Sequence, residues 1–279
     1  MIHSHAEILD LCVRLDMPEP MTVKIAREFE EYDFSAVIPY ISKLQDPKTA
    51  ESAAKIIYGL LDGYGLRMLI AELDAALLTW QEIYVKRNIS EKIFIDTMKN
   101  FSLLAHDFHV VNGIYGFDCA MWLWRHLAGL LFRLDTLEFE LYTYKTKETE
   151  QLKIGTKVLS VHIPSNAVLS REELDKSYSH ARAFFRDTEY ENVPFFCDSW
   201  LLAPKLKEIL PESSGILRFQ NDFTIIDSSD DDSANLRVFK RYHMSIDELP
   251  EDTSLQRKLK QLLAKGETLG EGTGIIPYK

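Results

Sequence analysis

The sequence predicts an α+β protein: an all-α first half, then a mixed, mostly antiparallel sheet with flanking helices. Three observations carry this. From Ile8 to about Leu130 the apolar residues recur at helical spacing. Beyond that point short alternating segments begin, with Leu137, Phe139 and Leu141 set against Glu138, Glu140 and Tyr142. Residues 157–186 then change period once, in the middle. Leu159, Val161 and Ile163 alternate with Ser160 and His162; Pro164, Ser165 and Asn166 break the strand; Leu174, Tyr178, Ala181 and Phe185 follow at helical spacing.

The helical half is expected to form one domain, residues 1–129, of six or seven helices. Ile8, Leu11, Cys12 and Leu15 make the first stripe, which Pro18 and Pro20 stop. Val23, Ile25, Ala26 and Phe29 carry the second helix, and Asp33-Phe34-Ser35 caps a third that ends near Pro47. The pattern resumes over residues 49–61, with Gly63 and Gly65 at the helix end. Residues 66–84, rich in leucine and alanine, read as a central buried helix. Ser90 opens the next, with Ile93, Phe94, Met98 and Phe101. Gly113 and Gly116 mark a loop before the last, which holds Trp122 and Trp124.

The second domain is expected over residues 130–279. Residues 133–144 read as a strand, the charged tract 145–151 as a hairpin turn, and residues 158–164 as the returning strand. Ser170 and Glu173 form an S-x-x-E capping box that opens a helix. Residues 193–200 (VPFFCDSW) are a compact aromatic strand, and Pro204 and Pro211 bracket a short helix over residues 205–210. A further strand is predicted over residues 216–226, a solvated hairpin loop over the acidic residues 227–234 (DSSDDDSA), and a strand pairing back over residues 236–241. Asp252-Thr253 caps a last helix with Leu255, Leu259 and Leu262 on one side, and the glycine-rich tail reads as a turn.

Composition narrows the function. The chain has 279 residues with 46% hydrophobic and 27% charged, the mix of a globular protein. A net charge of -11 leaves no basic excess to displace counterions from a phosphate backbone, so nucleic acid is excluded as a partner. The N-terminal residues lack both a basic and an apolar signal region, and the longest apolar run, residues 119–132, is broken by Arg125 and His126. No membrane association and a cytoplasmic location are therefore expected. Cys12, Cys119 and Cys197 are odd in number and far apart, which fits reduced thiols and no metal site.

The segments LFRLDTLEFEL, VLSVHIPSN, CDSWLLAPKLKEILPESSGILRFQNDF, DTSLQRKLKQLLAKG and GEGTGIIPY resemble a group of bacterial acyltransferase-like proteins. In that group a helical N-terminal domain precedes a C-terminal domain of the GNAT (N-acyltransferase) fold. The resemblance covers nearly the whole chain, and residues 196–219 are its most specific part. It implies a GNAT-like second domain, acyl-CoA (acetyl-CoA) as co-substrate, and a small-molecule or peptide amine as acceptor. Residues 158–163 then correspond to the strand that receives the pantetheine arm, with Val161 and Ile163 on it. Ser165, Asn166, Ser170 and Arg171 correspond to the pyrophosphate loop and the helix start behind it. The usual glycines of that loop are missing here, and so is the usual tyrosine acid on the helix LAPKLKEIL.

The residues themselves support a parallel reading. A strand end opening onto a helix N-terminus presents amides and the macrodipole to an anion, although an ordinary crossover has the same pattern. His162 is placed to take a proton from an amine, or is a sheet histidine bonded to a neighbour. Glu138 and Glu140 share one face of the adjoining strand and could serve as the base, directly or through water; solvated surface carboxylates are the alternative. Asp198 could orient a cation or His162, Ser199 could protonate a leaving thiolate, and Cys197 reads as a small core residue. Two functions stand side by side: an acyl-CoA-dependent N-acyltransferase, or a catalytically degenerate GNAT-fold module that binds a peptide or small molecule.

Overall fold

The computed structural model describes residues 1–230, 232–241 and 244–278. The chain divides into two compact units, Met1–Leu134 and Asp135–Lys279. No helix among the described residues is long and apolar enough to cross a membrane.

The first unit is helical: α1 (His5–Arg14), α2 (Glu19–Glu31), α3 (Ile38–Ile41), α4 (Ala50–Leu60), α5 (Gly65–Thr79), α6 (Glu91–Met98), α7 (Asn100–Asn112) and α8 (Trp124–Leu127), closed by strand β1 (Leu131–Leu134). Ser4 and Glu7 form a reciprocal capping box at the start of α1. Helix α5 is the predicted central helix, buried from Gly65 to Ala76 apart from the half-buried Arg67, and again at Thr79. It fits because Gly65 has no side chain: a Cβ there would lie 1.8 Å from the Phe117 carbonyl oxygen. The same helix buries two carboxyls. Asp74 accepts the amides of Ile2 and His3 and the His3 ring, while both oxygens of Glu72 lack a hydrogen-bond partner.

The second unit contains β2 (Leu137–Thr143), β3 (Lys157–His162), α9 (Arg171–Phe184), β4 (Phe195–Ser199), α10 (Leu206–Ile209), α11 (Gly215–Gln220), β5 (Thr224–Ser229), α12 (Ala234–Phe239), α13 (Ser254–Ala264) and β6 (Glu271–Ile276). Within this unit the strand order is β2-β3-β4-β6-β5. β3 and β4 run parallel, while β2/β3, β4/β6 and β5/β6 are antiparallel. Helix α9 covers one face, where Tyr178 stacks on Phe195 at 5.4 Å and the Ser177 hydroxyl accepts the Leu137 amide. On the other face Tyr144, Leu152, Val158, Phe196 and Ile275 form a smaller apolar cluster. Helices α10 to α13 build a third cluster around Leu206, Leu217, Phe239 and Leu259.

Five expectations are corrected here. Residues 133–144 form two strands, because Asp135 takes a left-handed φ of 63° and turns the chain. Residues 216–220 are helical: Ser214 caps the Ile216 amide, and Leu217, Phe219 and Gln220 turn inward together, so β5 begins only at Thr224. The acidic tract is not one loop. Asp227, Ser228 and Ser229 pair with Thr273, Gly272 and Glu271 on an edge strand, where charge is tolerated, and Ala234 already starts α12; Asp231 lies outside the described residues. Residues 234–239 are helix rather than strand, because Ala234 and Phe239 pack into the third cluster. The tail, apart from Lys279 outside the described residues, is strand β6 between β4 and β5. Its glycines serve close approach: a Cβ on Gly272 would lie 2.2 Å from the Leu202 carbonyl oxygen.

Candidate active site

The site begins where two strands part. β3 and β4 pair only at Leu159↔Phe195 and Ser160↔Phe196. Their outer edges stay bonded further along, β3 to β2 as far as His162 and β4 to β6 as far as Ser199. The result is a rigid wedge whose inner edges, at Val161-His162 and Cys197-Asp198, carry no pairing with each other. Backbone amides there are available to a ligand rather than to the ladder.

One face of the wedge is polar. The register sets Glu138 opposite His162 and Glu140 opposite Ser160. All four side chains share that face, since directly opposed residues point the same way. His162 Nε2 lies 2.8 Å from Glu140 Oε2. Glu138 and Glu140 are buried, at 2% and 8% exposure, and are not the solvated surface carboxylates of the alternative reading. His162 keeps 26% of its side chain exposed and is the member of the group that a substrate can reach. On β4 the same face carries exposed Asp198, which accepts a hydrogen bond from Thr273 Oγ1 at 2.8 Å and makes none to His162. Ser199 accepts the Leu201 amide at 3.2 Å, and its own proton remains available to donate. Cys197 is fully buried, burial pushes its thiol up, and it belongs to the core. Ser160 and Thr273 were missed in the sequence: neither has a motif, and both enter the site through strand register alone.

Residues 163–170 connect the wedge to α9. The loop is held from several sides. The Thr136 hydroxyl accepts the Val168 amide at 2.7 Å and donates to the Val168 carbonyl at 3.3 Å. Arg218 donates to the Leu169 carbonyl at 2.9 Å, and Ser170 caps the Glu173 amide at 3.3 Å. Ser165 and Asn166 are exposed at its tip, whereas Val161 is buried and Ile163 half-buried.

This connectivity has a counterpart. Residues 131–276 match the profile of the GNAT-like C-terminal domain, and residues 7–129 match that of the N-acyltransferase N-terminal domain. The chain belongs to the GNAT-like family. No curated protein matches it. Among solved structures it resembles an acyltransferase in complex with decanoyl-CoA and teicoplanin, at 23% identity over 100% of this chain and 90% of that one, with a TM-score of 0.80. A mutant acyltransferase in complex with octanoyl-CoA gives 24% identity over 100% and 90%, also at 0.80. An acyltransferase with CoA and 10C-teicoplanin gives 24% over 97% and 87%, at 0.78. At these identities the likeness is one of fold.

Against the GNAT-like pattern, this chain has committed the parts expected to meet phosphate. The Val168 amide, in the middle of the loop, is taken by Thr136. Arg171 Nη1 lies 2.6 Å from Asp222 and Nη2 2.8 Å from Asp175, and bonding to Asp222 raises the Arg171 pKa. Asp222 in turn faces the buried Tyr178 hydroxyl, whose pKa is raised by burial first and by the Asp222 charge second.

Proposed function

We propose that the protein is an acyl-CoA-dependent N-acyltransferase acting on a small-molecule or peptide amine. The observation that carries this is the wedge between β3 and β4 with the His162–Glu140 pair on its polar face. Membership of the GNAT-like family supports it, as do the acyl-CoA complexes of the acyltransferases that share the fold. In this reading the acyl thioester enters the wedge along Val161 and Ile163. Its phosphates meet Ser165, Asn166, Ser170 and Arg171 at the start of α9. The amine nitrogen attacks the thioester carbonyl; the N–C bond forms, the C–S bond breaks and CoA leaves as the thiolate. His162 takes the amine proton, and Glu140 offsets the charge on the imidazolium. Amides on the inner edges hold the developing oxyanion. The thiolate takes a proton through the Ser199 hydroxyl, which water reprotonates, and Asp198 with Thr273 draws the amine to the rim, from which it enters the wedge as the free base. Glu138, behind the pair, keeps the polar face acidic. A cytoplasmic location, where acyl-CoA is available, belongs to the same reading.

The engaged Val168 amide and Arg171 favour a second reading, a degenerate module that binds a peptide or small molecule without CoA. Thermal melting with acetyl-, octanoyl- and decanoyl-CoA separates the two. Ligand at about a hundred times its dissociation constant adds roughly 2.7 kcal/mol, several degrees for a domain of this size. Free thiol release with an amine panel then tests transfer. No stabilisation by any acyl-CoA at millimolar concentration leaves the module reading.

A further inference from the structure

The start of β4, the end away from the wedge, opens onto a cavity of about 460 Å³ lined by Tyr178, Arg182, Arg186, Phe195, Ile276 and Tyr278, among others. Tyr178, Arg182 and Arg186 stand four residues apart and so lie on one face of α9 and the turn that follows it. The Arg182 guanidinium lies over the Phe195 ring at 3.8 Å and near Tyr278 at 5.1 Å, and donates to the Val193 carbonyl at 2.6 Å. These partners are all neutral. Arg186 is exposed, and among the described residues neither arginine has a carboxylate within ion-pair distance, although the chain carries a net charge of -11. Glu191 stands on the rim, where it accepts the Asp187 amide at 3.2 Å. Burial lowers the Arg182 pKa. A partly desolvated cation that has no counter-ion among the described residues, beside an aromatic-walled cavity, calls for an anion with a flat apolar body.

We propose that this cavity is a binding site for a small aryl carboxylate. The carboxylate meets the guanidiniums of Arg182 and Arg186, both of which line the cavity and whose fork geometry matches it. The ring packs against Tyr278 and Ile276. The Glu191 carboxylate at the rim disfavours a dianion, which selects a carboxylate over a phosphate. The site shares no residue with the acyl-transfer reading and stands or falls separately from it.

Benzoate, benzyl alcohol and inorganic phosphate are the probes, titrated into the full chain and followed by backbone amide NMR. Benzoate is expected to shift the amides of Val193, Phe195 and Ile276 saturably in the millimolar range, with the other two at least about tenfold weaker. Because Arg182 also holds the Val193 carbonyl, the variants are made at exposed positions. Arg186→Ala and Tyr278→Ala should each weaken benzoate about tenfold or more, with the rest of the spectrum unchanged. Absence of saturable shifts at those amides, equal binding of phosphate, or unchanged benzoate affinity in Arg186→Ala each overturns the proposal.

Discussion

Glu72 and Glu140 are both buried glutamates, one in each unit, and they meet opposite circumstances. Glu72 sits on α5 with neither oxygen bonded, and burial holds its carboxyl well above the usual carboxylate range. Glu140 sits on β2 with an imidazole nitrogen 2.8 Å away. A buried acid without a partner keeps its proton and costs stability when it is made to ionise. One that faces a half-exposed histidine is placed to stabilise a proton that arrives from outside. Burial alone therefore marks a strained core position, and burial with a titratable, reachable partner marks a candidate for chemistry.

The sharpest way to break this comparison is to remove the partner. His162→Ala is expected to lower kcat of acyl transfer about 100-fold or more, within the usual range for a general base. Glu140→Gln should cost less, and the double variant should be no worse than His162→Ala, because Glu140 acts through His162. Steady-state kinetics check this, with circular dichroism as the control for folding. Additive losses would separate the two residues.

Next in size is the pH response at Glu72. Its folded pKa is raised, so stability is full below the unfolded carboxylate pKa and declines as pH climbs towards the folded value. The decline is about 1.4 kcal/mol per pH unit. Glu72→Gln removes the titration, so the variant should gain on the parent protein between pH 4.5, the ordinary carboxylate value, and about pH 5.5. Urea unfolding at the two pH values measures it, and equal pH dependence in both proteins would mean that Glu72 finds a partner in solution.

A smaller effect of opposite sign is expected at Asp135, which Lys176 and His180 each reach at 2.8 Å. Burial raises its pKa, and the bonds from Lys176 and His180 outweigh that and hold it below the ordinary value. Its contribution is present above the unfolded pKa and is lost as pH falls through the folded one. Asp135→Asn tolerates the left-handed φ and so isolates the charge. With Lys176 60% exposed, the loss should be about 1 kcal/mol or less, confined to pH above the acid limb.

How legible all this was depends on how local the determinants are. The alternation at residues 157–163 and the cap at Ser170 are local, and both stand in the structure as β3 and the start of α9. The family resemblance pointed to the domain type for the same reason, through contiguous segments. Strand β6 was not legible. Gly272 and Gly274 argue against a strand until Leu202 and Phe223 are known to lie against them. The helices at residues 215–220 and 234–239 are too short for a periodic signal, and their direction is set by Leu217 and Phe239 joining a cluster with Leu259 on a distant helix. For the site, the types were readable and the environment was not. His162 and the glutamates could be named, but their burial, the Thr273 bond to Asp198 and the Asp222 bond to Arg171 depend on register and on loops far away in sequence.

Arg171 is where the smallest effect carries the most information. Its guanidinium is matched by Asp222 at 2.6 Å and Asp175 at 2.8 Å, so its charge towards a phosphate is largely cancelled. Under the acyltransferase reading, Arg171→Ala should therefore weaken acyl-CoA binding only about threefold, the order of 0.6 kcal/mol expected of an exposed and shared ion pair. Asp222→Asn should do the reverse and tighten binding by a similar factor, because the amide no longer neutralises the arginine. Calorimetric dissociation constants at low and high salt measure both, and the difference between variants should shrink as salt screens it. A loss above about tenfold in Arg171→Ala would mean that the guanidinium leaves Asp222 when the ligand arrives. The start of α9 would then rearrange on binding rather than being set beforehand.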